Sequence, residues 1–160
     1  MKNKKNILLN TSLVIIGIVF VTLVYFKLFK THQPQMAQLR IDRFEELTLM
    51  DLSKDSLKLT EILNDNDTHY ILILEMSNCS TCIYKGLDTM TALKKAGKAC
   101  MVIVVHDLID EVAGWSATTD FSPFYMMTGV DFYEHIRTPL MPAIVTIKNK
   151  SIINTRYITP

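Results

Sequence analysis

Residues 70–82 read Tyr-Ile-Leu-Ile-Leu-Glu-Met-Ser-Asn-Cys-Ser-Thr-Cys, and this stretch decides the fold. Its first part, Tyr70 to Leu74, is a continuous apolar run, which is typical of a central strand that is buried on both faces. After Cys82 the apolar residues recur at helical spacing, at Ile83, Leu87 and Met90. Gly97 then marks a C-terminal stop. The stretch therefore predicts a buried strand that leads directly into a helix, with a Cys-x-x-Cys motif at the junction.

A Cys-x-x-Cys motif at the start of a helix brings two sulfur atoms together. Positions three apart share one face of a helix, so the sulfurs of Cys79 and Cys82 can approach bonding distance. Backbone N–H groups and the helix dipole stabilise a thiolate at the first position. We therefore predict that Cys79 is the nucleophile and that Cys82 resolves the mixed disulfide that results.

Three other interpretations of the motif remain open at this stage. A zinc site would need a second set of ligands, but the one further thiol, Cys100, and the four histidines have no ligand spacing. We therefore predict no metal. A purely structural disulfide between residues three apart closes so small a loop that it stabilises little. A binding domain that carries the pair without catalytic turnover is the third interpretation, since a fold does not determine a function.

The rest of the chain predicts an α/β domain around this junction. Residues 44–63 alternate around a polar turn at Ser53-Lys54-Asp55, which indicates a hairpin followed by a short helix around Thr60–Leu63. Further strands are predicted at Cys100–Val105, Ala143–Ile147 and Ser151–Tyr157. Between them, residues 107–138 mix aromatic and turn residues, and we expect one or two short helices there. Strands and helices in this order are typical of an α/β layered domain.

The N-terminal segment predicts a membrane anchor. Residues 7–26 contain no charged side chain and are long enough to cross a bilayer as a helix. The run ends at Tyr25-Phe26-Lys27 without the small residues of a signal-peptidase site, so we expect an uncleaved transmembrane anchor over residues 7–29 rather than a removable signal. Three lysines precede the uncharged run of residues 7–26 and two, Lys27 and Lys30, follow it, which favours a cytoplasmic N-terminus.

This topology defines four regions of a single-pass protein of the bacterial inner membrane. Residues 1–6 are expected in the cytoplasm, residues 30–43 form a tether, and residues 44–160 form the domain that faces the periplasm or the cell exterior. The five lysines of residues 1–30 leave twelve basic against sixteen acidic residues in the remainder, a net charge of about −4. Such a domain, without a basic cluster, is not typical of nucleic-acid binding.

From Phe44 to the C-terminus the chain resembles the thioredoxin superfamily. It is most similar to membrane-anchored periplasmic thiol–disulfide oxidoreductases of the cytochrome-maturation and peroxiredoxin-like branch. There, a hairpin precedes a buried strand that runs into Cys-x-x-Cys, and a cis-proline later opens an apolar strand and a polar turn, as Met141-Pro142-Ala143 does here. The resemblance implies a thioredoxin-like fold and disulfide exchange with extracytoplasmic protein thiols or disulfides, without a cofactor.

The resemblance also implies a substrate site. Pro142 is expected to face the disulfide, and Met141 before it to offer its backbone to an extended substrate. Pro139 is the rival candidate for the cis-proline, but the apolar strand begins directly after Pro142. Asn78 stands where typical thioredoxins have a tryptophan before the first cysteine, and we include Asn78 among the predicted substrate-binding residues.

Other departures from the family pattern concern acid–base chemistry and redox poise. Ser80-Thr81 replaces the usual Gly-Pro between the cysteines, and Ile73 stands where the family has a buried acid. Glu75 shares a strand face with Ile73, so we predict that Glu75 helps to remove the proton from Cys82. The alternative is a solvated residue at a strand end.

Several residues outside the motif have two interpretations. The insert residues Trp115, Tyr125, Met126 and Met127 either line a partner groove or pack in the core. For Cys100 we favour a buried apolar role over a third redox thiol, and for His106 and Asp107 a loop role over an approach to the active site. The function predicted from these patterns is a thiol–disulfide oxidoreductase. A thioredoxin-like binding module is the alternative, and a peroxidase is disfavoured because no arginine motif lies near Cys79.

Overall fold

The computed structural model describes residues 39–42, 44–64 and 66–160. The strands are β1 (Arg40–Ile41), β2 (Thr48–Asp51), β3 (Ser56–Lys58), β4 (His69–Glu75), β5 (Ala99–Val105), β6 (Phe124–Met127), β7 (Ile136–Arg137), β8 (Ala143–Lys148) and β9 (Ser151–Tyr157). The helices are α1 (Leu59–Ile62), α2 (Ser80–Lys95), α3 (Ile109–Ser116) and α4 (Gly129–His135), with a 3-10 turn at Phe44–Glu46. The predicted span at residues 7–29 lies outside the described residues. Among the described helices, none has the length and apolar character needed to cross a membrane.

Seven strands form one mixed sheet in the order β3-β2-β6-β5-β4-β8-β9, and β1 pairs with β7 in a separate two-stranded sheet. The three central strands β4, β5 and β6 run parallel, whereas β8 runs antiparallel to β4. The C-terminal ends of the central strands and the N-terminal end of β8 therefore meet at one edge of the sheet. We call this the cysteine edge, because the turn that carries Cys79 follows β4 there.

Strand β4 is buried on both faces, as its apolar run predicts. Ile71 and Ile73 pack on one face with side chains of α1 and α4, and Leu72 and Leu74 pack on the other with side chains of α2 and α3. All four side chains are at most 1% exposed. Successive residues of a strand point to opposite faces, so an unbroken apolar run supplies two cores at once.

The hairpin, the short helix, the helix after the motif and the three later strands are all confirmed within one or two residues. Residues 107–138 form the two short helices α3 and α4, but they also contain the strands β6 and β7, which we did not predict. Strand β6 has four residues and pairs with β5, more than twenty residues earlier, on one side and with β2 on the other. Met126 and Met127 are buried in the core, so the core interpretation is right for both.

Gly86 sets how closely α2 approaches the sheet. A Cβ atom at this position would lie 3.0 Å from Cδ1 and 3.1 Å from Cδ2 of Leu72. We expect Gly86→Val to lower the free energy of unfolding by about 1–3 kcal/mol, because overpacking forces the helix away from the strand. The measurement is chemical denaturation followed by circular dichroism.

Gly114 in α3 provides a control for the effect of helix propensity on a glycine replacement. A Cβ atom there has no neighbour within 4 Å. We therefore expect Gly114→Ala to raise the free energy of unfolding by about 0.5–1 kcal/mol through helix propensity alone. Equal stability of the Gly86→Val variant and the parent would contradict the close packing of α2 on β4.

Candidate active site

Cys79 and Cys82 lie at the start of α2, where the turn after β4 brings them to the cysteine edge. Cys79 is the N-cap residue and is exposed, whereas the Cys82 side chain, one turn further on, is 3% exposed. The first helical hydrogen bond runs from the N–H of Ile83 to the carbonyl oxygen of Cys79, at 3.0 Å. Both thiols are free, so the structure represents the reduced pair.

The pKa values of the two thiols shift in opposite directions from the ordinary value of a cysteine. A hydrogen bond from the thiol of Cys82, together with the backbone N–H groups of Cys82 and Thr81, lowers the pKa of Cys79 below its ordinary value. The same thiol–thiol contact, followed by desolvation and the negative charge of Cys79, raises the pKa of Cys82, and Lys85 opposes this only in part. Ionisation therefore occurs first at the exposed sulfur, and the buried sulfur keeps its proton.

The peptide bond between Met141 and Pro142 is cis, as the resemblance implies, and no cis bond precedes Pro139. Ala143 pairs with Ile73 across β8 and β4, so Pro142 lies at the cysteine edge, next to the end of β4. Pro142 is buried, and its carbonyl oxygen accepts a hydrogen bond from the N–H of Ile158 at 2.9 Å. The substrate-binding role of Met141 and Pro142 stays a prediction.

Asn78 closes the turn between β4 and α2. Its Oδ1 accepts a hydrogen bond from the N–H of Glu75 at 2.8 Å, and its own N–H donates to the carbonyl oxygen of Glu75 at 3.0 Å. The Asn78 side chain thus fixes the backbone just before Cys79. The contact of Asn78 with a substrate stays a prediction. The sequence did not indicate that Asn78 closes this turn.

Glu75 is held by two hydroxyl groups. The hydroxyl of Tyr133 in α4 donates to Oε1 at 2.6 Å, and that of Ser77 donates to Oε2 at 3.1 Å. This hydrogen bond and the charge of Glu75 raise the pKa of Tyr133. Sequence reasoning missed Tyr133, because 58 positions separate it from Glu75 and no local pattern links them. The predicted proton transfer from Cys82 to Glu75 stays a prediction.

The residues at the end of β5 have structural roles. Nε2 of His106 lies 2.8 Å from Oε2 of Glu111, and Oδ1 of Asp107 accepts a hydrogen bond from the N–H of Gly129 at 3.0 Å. These contacts connect the loop after β5 to α3 and α4, in agreement with the loop role that we favoured.

Cys100 lies at the opposite end of β5 from the cysteine edge. It pairs with Tyr70 at the start of β4, about 17 Å along the strand from Val105 at roughly 3.3 Å per residue. Partial burial raises the pKa of its thiol. Among the described residues, no three His, Cys, Asp or Glu side chains are placed to hold a metal ion.

Trp115 and Tyr125 line two different concave surfaces. Trp115 contributes to a pocket of about 150 Å³ between α2 and α3, which Asn78 and Ser80 also line. Tyr125 contributes to a larger groove of about 550 Å³ between the β2–β3 hairpin and the residues before β6. The four insert residues proposed from sequence therefore do not form one groove, because Met126 and Met127 belong to the core.

Comparison with known proteins gives structural matches only. No protein-family model and no curated sequence matches the chain. A thiol:disulfide interchange protein from Bacteroides sp. matches with a TM-score of 0.54 and 14% identity, over 75% of this chain and 78% of that one. A secreted disulfide oxidoreductase from Mycobacterium tuberculosis matches with a TM-score of 0.55 and 12% identity, over 74% and 87%. The chain has a thioredoxin-like fold.

A third neighbour of this thioredoxin-like domain is an exposed lipoprotein thioredoxin from Streptococcus pneumoniae. It matches with a TM-score of 0.51 and 17% identity, over 71% of this chain and 90% of that one. The neighbours are thus thioredoxin-like proteins, several of them described as thiol–disulfide oxidoreductases or as secreted or exposed. The thioredoxin-like domain described here carries its Cys79–Cys82 pair at the helix start, with the cis-proline at the same edge of the sheet.

Proposed function

We propose that this protein is a membrane-anchored thiol–disulfide oxidoreductase that exchanges disulfides with extracytoplasmic proteins. The observation that supports it is the asymmetric thiol pair. Cys79 is exposed and has a lowered pKa, and Cys82 is buried and has a raised pKa. An exposed thiolate with a protonated thiol in contact is the arrangement that attack and resolution need.

In the reducing direction, the two electrons that reduce the substrate disulfide come from the sulfur atoms of Cys79 and Cys82. The Cys79 thiolate attacks one sulfur of a substrate disulfide, the substrate S–S bond breaks, and the second substrate sulfur leaves as a thiolate that takes up a proton. Cys82 then loses its proton to a base and attacks the Cys79 sulfur, which releases the first substrate sulfur as a thiolate that takes up a second proton from solvent. The substrate gains two electrons and two protons, and the protein is left with a Cys79–Cys82 disulfide. Oxidation of a substrate dithiol is the reverse reaction.

Catalytic turnover tests this proposal against a thioredoxin-like binding module. The full chain in detergent is supplied in trace amounts with excess dithiothreitol and a disulfide-linked test protein, and the release of substrate thiols is followed. We expect many substrate disulfides to be reduced per protein molecule. Release of no more thiols than dithiothreitol alone produces would support the binding module instead.

For Glu75 we propose a role in proton removal from Cys82 during resolution. Glu75→Gln should then slow the release of the mixed disulfide by about a hundredfold or more, the usual contribution of a general base, and leave its formation unchanged. Stopped-flow kinetics with acid quenching measure the two steps separately. Tyr133→Phe is the control, since it removes the hydroxyl that holds Oε1 but retains the carboxylate. Unchanged release in Glu75→Gln would contradict the proposed role.

The proposed anchor consists of residues 7–29, with the domain outside the cytoplasm. We expect the full chain to stay in the membrane pellet after alkaline carbonate washing. The wash releases proteins that are bound by electrostatic contacts, whereas an apolar span stays in the bilayer. We also expect protease added outside the inner membrane to cleave the domain. Intact mass measures whether the segment is retained. A soluble mature chain that lacks residues 7–29 would identify a removable signal.

A further inference from the structure

A small pocket opens at the turn that carries Cys79. Its walls come from the turn after β4, the first turns of α2 and the end of α3. The lining residues are Met76, Asn78, Ser80, Ile83, Tyr84 and Trp115. Asn78 and Ser80 are the chain neighbours of Cys79, so both residues that flank the attacking cysteine line this pocket.

The size of the pocket suits one amino-acid side chain. It encloses about 150 Å³, whereas sites for drug-sized molecules enclose roughly 300–1,000 Å³. None of its lining residues carries a charge. An ionised side chain would lose hydration there without a partner, whereas an aliphatic one would gain from leaving water.

The Trp115 wall of the pocket is supported by the hydrophobic core. The Trp115 ring packs edge-on against Phe124, with ring centroids 5.5 Å apart, and Phe124 is buried in the core. The opposite wall, Tyr84, is 60% exposed on α2. The pocket is therefore preformed on one side and accessible on the other, as a recognition site for an incoming chain requires.

From this position, size and lining, we infer that the pocket is a specificity subsite that binds an aliphatic side chain of the substrate protein, one or two residues from the cysteine under attack. The inference rests on the proposed function and deepens it. Polypeptides with an aliphatic residue next to the disulfide cysteine are the preferred substrates, and those with a charged residue there are disfavoured.

Symmetric disulfide dimers of a single-cysteine peptide test this inference. Because both sulfurs carry the same peptide, every attack presents the same flanking residues to the pocket. The peptides carry Leu, Ala or Glu at one of the positions −2, −1, +1 and +2 relative to cysteine. Second-order rate constants are measured with the reduced full chain in detergent. At one of these positions we expect Leu to react about tenfold faster than Ala, which corresponds to about 1.4 kcal/mol, and Glu to react more slowly than Ala.

Variants of the two aromatic walls assign the preference to the pocket. Trp115→Ala and Tyr84→Ala should each lower the Leu-to-Ala rate ratio towards one. Tyr84→Ala is informative even if Trp115→Ala unfolds, because Tyr84 is largely exposed. Ile153→Ala is the matched control, since Ile153 is similarly exposed, at 58%, but lies on β9 outside the pocket. The ratio should be unchanged in this control.

Each remaining outcome overturns a different claim. Exchange with all peptides at equal rates would overturn the subsite and leave the proposed function standing. A Leu preference that persists in both wall variants would place recognition elsewhere. No exchange with any peptide would overturn the proposed function, and the subsite with it.

Discussion

Cys79→Ser is expected to abolish disulfide exchange, whereas Cys82→Ser is expected to accumulate the mixed disulfide between Cys79 and the substrate. Without the Cys79 sulfur no attack on a substrate disulfide is possible, and the rate should fall below about one thousandth of the parent rate, as expected for loss of a nucleophile. Without Cys82 the first attack still occurs, but nothing resolves it. Non-reducing electrophoresis of the two variants after mixing with a disulfide-linked test protein measures both results.

Cys100→Ser is the control for these two variants. Cys100 is half-buried at the end of β5 that is remote from the cysteine edge, and its replacement should leave exchange and trapping unchanged. A trapped complex formed by Cys79→Ser, or continued turnover by either variant of the pair, would contradict the assigned order of attack.

The second large effect concerns thiol reactivity. In the reduced protein at neutral pH we expect iodoacetamide to modify Cys79 at least about tenfold faster than Cys82. Only the thiolate reacts, and the Cys82 thiol is buried and has a raised pKa. As pH rises, the rate at Cys79 should reach its plateau at a lower pH than an ordinary cysteine does. Site-resolved mass spectrometry after brief labelling provides the rates.

Cys82→Ala tests the cause of this lowered pKa. The variant lacks the thiol that donates to Cys79, so the pH–rate curve of Cys79 should move to higher pH. Denaturation in urea is the second control, since both cysteines should then react alike. Equal reactivity of the two thiols in the folded protein, or no displacement of the curve in Cys82→Ala, would contradict the thiol–thiol hydrogen bond.

The central strand and the helix after it were predictable because their signals are local. An unbroken apolar run from Tyr70 to Leu74 meets two cores, and the change from strand to helical spacing at Cys82 places both cysteines at a helix start. The cis bond before Pro142 came from a family resemblance rather than from periodicity.

The features that sequence reasoning missed depend on contacts between distant parts of the chain. Strand β6 has only four residues and is stabilised by pairing with β5. Tyr133 reaches Glu75 across 58 positions, and Trp115 comes beside Ser80 only because α3 packs near α2. Spacing patterns report which face of an element is apolar, but they do not report which side chain from another element lies opposite.

The most direct test of the proposed chemistry is a redox titration of the full chain in detergent, in glutathione and dithiothreitol buffers, with thiol alkylation and mass readout. We predict one reversible two-electron transition that forms a Cys79–Cys82 disulfide and leaves Cys100 free. A potential near that of thioredoxin, about −270 mV, would indicate a reductant, and one near −120 mV an oxidant. No internal disulfide at any buffer potential would contradict the account and leave the thioredoxin-like domain as a binding module.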